Sequence, residues 1–71
     1  GVYVYFRNHE DELVMVLINN NLKPVSIDLD RFHEVLGSRK KARSVASSLD
    51  YNLTNNINIK QKTAVILDVI F

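Results

Sequence analysis

Two apolar runs separated by a short polar stretch stand in the sequence VYVYFRNHEDELVMVLI at residues 2–18. Runs rich in β-branched and aromatic residues favour strands, and the polar residues at 8–12 are typical of a turn. Because the two runs are so close in sequence, they predict an antiparallel hairpin. Alternation divides the first run into two sets: Val2, Val4 and Phe6 on one face, and Tyr3, Tyr5 and Arg7 on the other. The second run is apolar on both faces, which predicts a central strand covered on both sides.

The rest of the chain continues this pattern. The three asparagines at 19–21 form a turn signal, and the alternation over residues 25–29 predicts a strand that follows Pro24. Short strands are also expected at residues 43–47, with Val45 inward, and at residues 57–60, while Leu53 pins the intervening loop to the core. A last strand covers residues 63–70, with two faces: Val65, Leu67, Val69 and Phe71 on one, and Ala64, Ile66, Asp68 and Ile70 on the other.

One segment departs from the strand pattern. Asp30 is expected to cap a short helical segment in which Phe32 and Leu36 share a face, and Gly37 is expected to end it. About six or seven short strands at spacings near ten residues are typical of an antiparallel sandwich. The sequence therefore predicts an all-β fold, a small antiparallel β-sandwich with one short helical turn.

Length and composition limit the possible functions. The 71 residues fit one domain, and 46% hydrophobic with 24% charged residues is a globular composition. The net charge of +1 predicts neither nucleic acid nor a membrane surface as a partner. The absence of cysteine excludes disulfides, thiolate metal sites and cysteine nucleophiles. Because the chain opens on Gly1 directly before a strand pattern, we expect residues 1–71 to be one domain excised from a larger enzyme.

Residues with catalytic or metal-binding chemistry are few. His9 and Glu10 lie in the predicted turn, and His33 and Glu34 lie in the helical segment, so the two histidines are not at metal-ligand spacing. No nucleophile motif or glycine-rich phosphate loop is present. We therefore expect no catalytic residue, no cofactor-binding residue and no metal site in these residues.

A basic cluster of four side chains lies in the middle of the chain: Arg39, Lys40, Lys41 and Arg43. Such a cluster can contact phosphates, which leaves a nucleic-acid-binding barrel as one hypothesis. No aromatic residue interleaves the cluster and the overall charge is nearly balanced, which favours a solvated loop instead.

The predicted outer face of the first strand carries the candidate site, which consists of Tyr3, Tyr5 and Arg7. Tyrosine rings stack on sugar faces and their hydroxyls bond to sugar hydroxyls, so this row could bind a carbohydrate, with Tyr51 as a further member. The same row could instead pack against a neighbouring domain, because tyrosine combines an apolar ring with a polar tip.

Four motifs resemble, in their order, the C-terminal all-β domain of α-amylase-family glycoside hydrolases, nearest to the cyclomaltodextrinase and neopullulanase group. They are YVYFR at residues 3–7, VMVLINN at 14–20, RFHEVLG at 31–37 and TAVILDV at 63–69. The resemblance implies a sandwich that follows a catalytic (β/α)8 barrel in the same chain. It also implies a periplasmic or extracellular bacterial location through the parent enzyme. At residues 42–56 the Thr-Gly turn expected of the family is absent.

Two functions follow as hypotheses. In the first, the domain is a non-catalytic accessory part of an α-glucan-degrading enzyme and stabilises the upstream barrel, which supplies the paired carboxyl groups that glycoside hydrolysis needs. This hypothesis requires a sheet face too apolar for solvent, supplied by Tyr3 and Tyr5 or by the Ala64, Ile66 and Ile70 face. In the second, the domain binds starch or maltooligosaccharides through its surface tyrosines.

Overall fold

The computed structural model describes residues 1–70, which contain seven strands and one short helical segment. The strands are β1 (Val2–His9), β2 (Glu12–Asn19), β3 (Val25–Asp28), β4 (Lys41–Ser44), β5 (Asp50–Asn52), β6 (Asn56–Ile59) and β7 (Thr63–Ile70). Between β3 and β4, a 3-10 turn (Leu29–Phe32) leads directly into α1 (His33–Leu36). The predicted all-β fold with one helical turn is confirmed, and Phe71 lies outside the described residues.

The strands form two sheets of unequal size. Five strands pair in the order β1-β2-β7-β4-β5, and β3 pairs with β6 in a separate two-stranded sheet. Every pairing is antiparallel. The core lies between the two sheets, because its buried residues come from both: Leu13, Met15, Leu17, Ala42, Leu67 and Val69 from the larger sheet, and Ile27, Ile57 and Ile59 from the smaller one.

The predicted hairpin is formed by β1 and β2, with the two-residue turn at Glu10 and Asp11. Val4 and Phe6 face the core from β1, as predicted. The expectation that the second strand is covered on both sides is wrong. The two-stranded sheet covers only the face of Leu13, Met15 and Leu17, whereas Val14 and Ile18 on the other face stay half-exposed.

Asn19 ties the ends of the two sheets together. Its Nδ2 donates to three backbone oxygens, those of Lys23 at 2.9 Å, Ile59 at 3.1 Å and Lys60 at 3.1 Å. Its Oδ1 accepts from the backbone N–H of Asn21 at 3.0 Å. The sequence predicts a turn over residues 19–21, but Asn19 is the last residue of β2 and has no exposed surface. A buried amide with both ends bonded has a structural role that an exposed turn residue does not have.

The helical segment begins and ends through local caps. Asp28, and not Asp30 as predicted, is the capping residue, because its Oδ1 accepts from the backbone N–H of Asp30 at 3.0 Å. Gly37 ends the segment as predicted, with a φ of 60° that glycine adopts without strain. The segment is held against β1 by the rings of Phe32 and Phe6, whose centroids are 5.5 Å apart in an edge-to-face arrangement.

The fourth strand begins and ends earlier than predicted, and the alternate set of its residues faces the core. The strand comprises Lys41–Ser44, and its pairing with β7 turns Ala42 and Ser44 towards the core. Val45, predicted to point inward, follows the strand and is 63% exposed. The prediction failed because the small residues Ala42 and Ser44 carry little hydrophobic signal, whereas Val45 carries a strong one. Leu53 is buried, as expected, but the loop predicted around it is partly wrong, because Asp50–Asn52 form the short strand β5.

The Asn19 contacts predict a strong dependence on the amide. Asn19→Asp keeps the size of the side chain but places an ionised carboxylate against three carbonyl oxygens. We expect it to lower the free energy of unfolding by about 3 kcal/mol or more at neutral pH, since a buried polar group without its partner costs about 1–3 kcal/mol and a charge costs more. Urea denaturation measures the loss.

The pH dependence of this variant gives an internal check. Burial raises the pKa of the introduced carboxyl in the folded state above its unfolded value of about 4. The ionisation penalty is therefore full above the folded-state pKa, shrinks as the pH falls through it, and is gone once the pH reaches about 4. The control is Asn58→Asp, an exposed position on β6, which should unfold like the wild type. Equal stability of the two variants at neutral pH would contradict the role given to Asn19.

Candidate functional site

The face of the five-stranded sheet that points away from the two-stranded sheet, here called the outer face, places apolar side chains side by side. Strand register puts Tyr3 opposite Ile18, which in turn lies opposite Ala64. The next row runs from Tyr5 through Val16 to Ile66. These six residues form one continuous patch, the apolar half of the outer face: Tyr3, Tyr5, Val16, Ile18, Ala64 and Ile66.

Much of this patch is open to solvent. Tyr3 is 59% exposed, Tyr5 is 50% exposed and Ile66 is 46% exposed, whereas Val16 between them is only 8% exposed. Val45 donates its backbone N–H to the oxygen of Ile66 at 3.0 Å and continues the edge of the patch. Adjacent exposed apolar side chains of this kind usually mark an interaction site, whereas isolated ones do not.

A row of charges borders the apolar half. Arg7 lies opposite Val14, Val14 opposite Asp68, Asp68 opposite Arg43 and Arg43 opposite Asp50, so the signs alternate across the sheet. Arg43 Nε is 3.1 Å from Asp50 Oδ1, and both side chains are more than half exposed. An exposed pair of this kind adds at most about 1 kcal/mol to stability. We call these residues the charged row, and it separates the apolar half from the β1–β2 turn.

The predicted site residues have different outcomes. Tyr3, Tyr5 and Arg7 lie together on the outer face of β1 and are exposed. Tyr51 does not join them, because it pairs with the buried Ala42 and packs against the core. The prediction for Tyr51 was wrong because the register of β5 with β4 turns its ring towards the core.

The basic cluster does not form one surface. Arg39 Nη1 donates to the backbone oxygens of Val35 at 3.0 Å and Leu36 at 3.3 Å and so closes the end of α1. Arg43 lies on the outer face beside Asp50, beyond the buried Ala42. Two of the four cations are therefore engaged in local structure, which weakens the nucleic-acid hypothesis.

Neither histidine in residues 1–70 lies in a group of side chains suited to catalysis or metal binding. His33 Nδ1 lies 2.9 Å from the backbone oxygen of Asp30, within its own helical segment, and His9 ends β1 at the turn. Within residues 1–70, no group of three or more His, Cys, Asp or Glu side chains is placed to hold a metal ion. Over the same residues, no helix has the length and apolar character needed to cross a membrane.

Sequence reasoning missed that Val16, Ile18 and Ile66 belong to the same site as the tyrosines. The signal was present in two strands that are apolar on both faces, at residues 13–18 and 64–67. Two such strands in a small sandwich indicate a sheet with an apolar outer face, because one small sheet covers only one side. Their adjacency could not be derived from the sequence, because the paired residues Asn19 and Thr63 are 44 positions apart along the chain and only the strand register brings them together.

The fold and this surface define a class of protein: a small β-sandwich module with an apolar, partly charged face suited to contact a partner. The sequence matches the family model described as the Cyclo-malto-dextrinase C-terminal domain over residues 1–68. The chain therefore belongs to this family, which confirms the resemblance and makes it an accessory domain of the α-amylase-family type. No match is found among curated proteins.

Ile66 and Leu67 are neighbours on β7 but differ in exposure. We therefore expect their substitutions to change the free energy of unfolding by very different amounts. Ile66→Thr changes an outer-face residue and should alter the free energy of unfolding of the 71-residue chain by about 1 kcal/mol or less. Leu67→Ala removes a side chain with no exposed surface and should cost about 2–5 kcal/mol. Urea denaturation compares the two. A loss at Ile66 as large as that at Leu67 would mean that the outer face serves the fold of the domain itself.

Proposed function

We propose that this chain is a non-catalytic accessory domain of an α-glucan-degrading glycoside hydrolase, and that it packs on and stabilises an upstream catalytic (β/α)8 barrel. The observation that carries the proposal is the apolar half of the outer face, where Tyr3, Tyr5 and Ile66 stay about half exposed in the isolated domain. Burying such a surface releases about 25 cal/mol per Å² of apolar area. A domain linked in the same chain to its barrel would gain this free energy of burial without the entropy cost of bringing two separate molecules together.

The N-terminal end of β1 lies next to the apolar half of the outer face. Gly1 precedes β1 and its oxygen accepts from the backbone N–H of Asn20 at 3.0 Å, so it is fixed in the sheet. A preceding domain would join the sandwich beside Tyr3, at the border of the apolar half. An upstream domain of the same chain would therefore enter next to the surface proposed to receive it.

The carboxyl groups of the outer face support a non-catalytic role. Glycosidases hold two carboxyl groups across the scissile bond, at about 5 to 9.5 Å from each other in a cleft. Asp50 and Asp68 both flank Arg43 on an open strand face. They therefore pair with a cation at the surface and do not line a cleft. We therefore assign the chemistry to the upstream barrel.

The first test is the sequence encoded upstream of Gly1, which should contain a (β/α)8 barrel with amylase-type carboxylates. In that full-length protein, Ile66→Asn should lower the temperature of thermal inactivation, because it places an amide in the proposed interface. The matched control is Leu22→Asn, since Leu22 is 83% exposed in the β2–β3 loop, away from the outer face. Equal inactivation temperatures for both variants and the wild type would contradict the stabilising role.

Carbohydrate binding is the second candidate, favoured by the adjacency of Tyr3 and Tyr5 on one strand face at about 6.8 Å spacing along β1. Titration of the 71-residue chain with a maltooligosaccharide, followed by NMR, decides between the candidates. Binding should shift the signals of Tyr3, Tyr5 and Arg7, and Tyr5→Ala should abolish the shifts. Unchanged signals up to millimolar sugar would remove this candidate.

A further inference from the structure

The edge of the five-stranded sheet at β1 is long and has none of the usual protection against strand pairing. β1 has eight residues, whereas the opposite edge strand, β5, has three and begins with Asp50. Between Val2 and Phe6 the edge carries no charge and no proline. Natural edge strands are normally short, charged, bulged or covered, because free N–H and C=O groups accept a further strand.

The free backbone groups of this edge can be assigned from the hairpin. In an antiparallel pair, alternate residues bond to the neighbouring strand. Gly1 belongs to the bonded set, since its oxygen accepts from Asn20 N–H at 3.0 Å. The odd-numbered residues of β1 therefore bond to β2, and Val2, Val4, Phe6 and Asn8 point their N–H and C=O groups to the free edge.

A groove lies next to this edge on the core side. It has a volume of about 750 Å³ and runs between β1 and β3, with Val4, Val25, Ile27 and Phe32 in its walls. A strand added to β1 would turn every second side chain into this groove. These four wall residues favour apolar inward side chains, while Ser26, Asp28 and Arg31 also line the groove.

We propose that a second copy of this chain occupies the edge, by antiparallel pairing of the two β1 strands about a two-fold axis at Tyr5. In this register Val4 bonds to Phe6 of the other copy, and these inward side chains nearest the axis are apolar, whereas Asn8 at the end of the paired segment is polar. On the outer face, Tyr3 of each copy lies opposite Arg7 of the other, a cation–π pair that occurs twice. The pairing therefore matches the groove and separates the two Arg7 charges.

This dimer uses the backbone edge of β1 together with Tyr3, Tyr5 and Arg7, and it leaves the rest of the apolar half free: Val16, Ile18, Ala64 and Ile66. A failure to dimerise would therefore not count against packing on a barrel through these four residues. A single strand pair buries less than the roughly 1,200 Å² of a standard interface, so we expect a weak, reversible dimer. Sedimentation equilibrium of the 71-residue chain should show a mass that rises with concentration from 8.2 kDa towards twice that value.

Two variants separate backbone pairing from side-chain contact. Val4→Pro removes an N–H that β2 does not use and should keep the chain monomeric at every concentration, while leaving the β1–β2 pairing intact. The control, Val4→Ala, also shortens the side chain but retains the N–H, and it should still dimerise. A wild type that stays monomeric to millimolar concentration would overturn the proposal and leave the edge to a strand of another domain or protein.

Because the chain has no cysteine, a single introduced thiol tests the register directly. Tyr5→Cys places two thiols at the two-fold axis in a non-bonded pair with Cα atoms about 4.5 Å apart, which suits a disulfide. Tyr3→Cys is the matched control, since its two copies would be about 13 Å apart along the strands. Under mild oxidation the first variant should run as a covalent dimer and the second as a monomer; equal crosslinking of both would contradict this register.

Discussion

A two-stranded sheet covers only one side of a five-stranded one, and the rest of this structure depends on that inequality. The core between the sheets is closed by residues such as Met15 and Leu67, which have no exposed surface. On the other side of the same strands, residues 1–70 form no second layer. Since β2 and β7 are apolar on both faces, the fold leaves a hydrophobic surface that its own residues do not bury.

The two sheets stay together through few polar contacts, among which Asn19 is central. The small sheet reaches the large one mainly through apolar packing, which has no direction and fixes no register. The Asn19 amide supplies direction, because it joins the end of β2 to the end of β6 and to the loop before β3. This buried amide fixes the position of the small sheet and so determines which face of the large one remains open.

The sequence was sufficient to predict the faces of β1 and β7, because their side chains alternate strongly in character. It predicted six of the seven strands and missed β5, which lies in a stretch predicted to be a loop. It was insufficient where small residues face the core: Ala42 and Ser44 gave no signal, and Val45 was placed inward instead. Asn19 looked like a turn residue, since its sequence neighbours are also asparagines and only long-range contacts reveal its burial. Tyr3, Tyr5 and Arg7 were predicted together because one strand carries them all, whereas their neighbours on β2 and β7 required the register.

The open face has a consequence for how the domain obtains its stability. A chain of about this length buries only some 60% of its unfolded surface, so its own core supplies a small margin. Apolar side chains that stay half-exposed add little to the stability of the isolated domain. They would add to it if a covalently linked partner covered them, because the effective concentration of a linked domain is high. Under the proposed function, residues such as Ile66 would belong to a shared core that the partner domain completes. The charged row fits the same view, since alternating charges at the border of an apolar patch remain solvated and limit how far a partner extends.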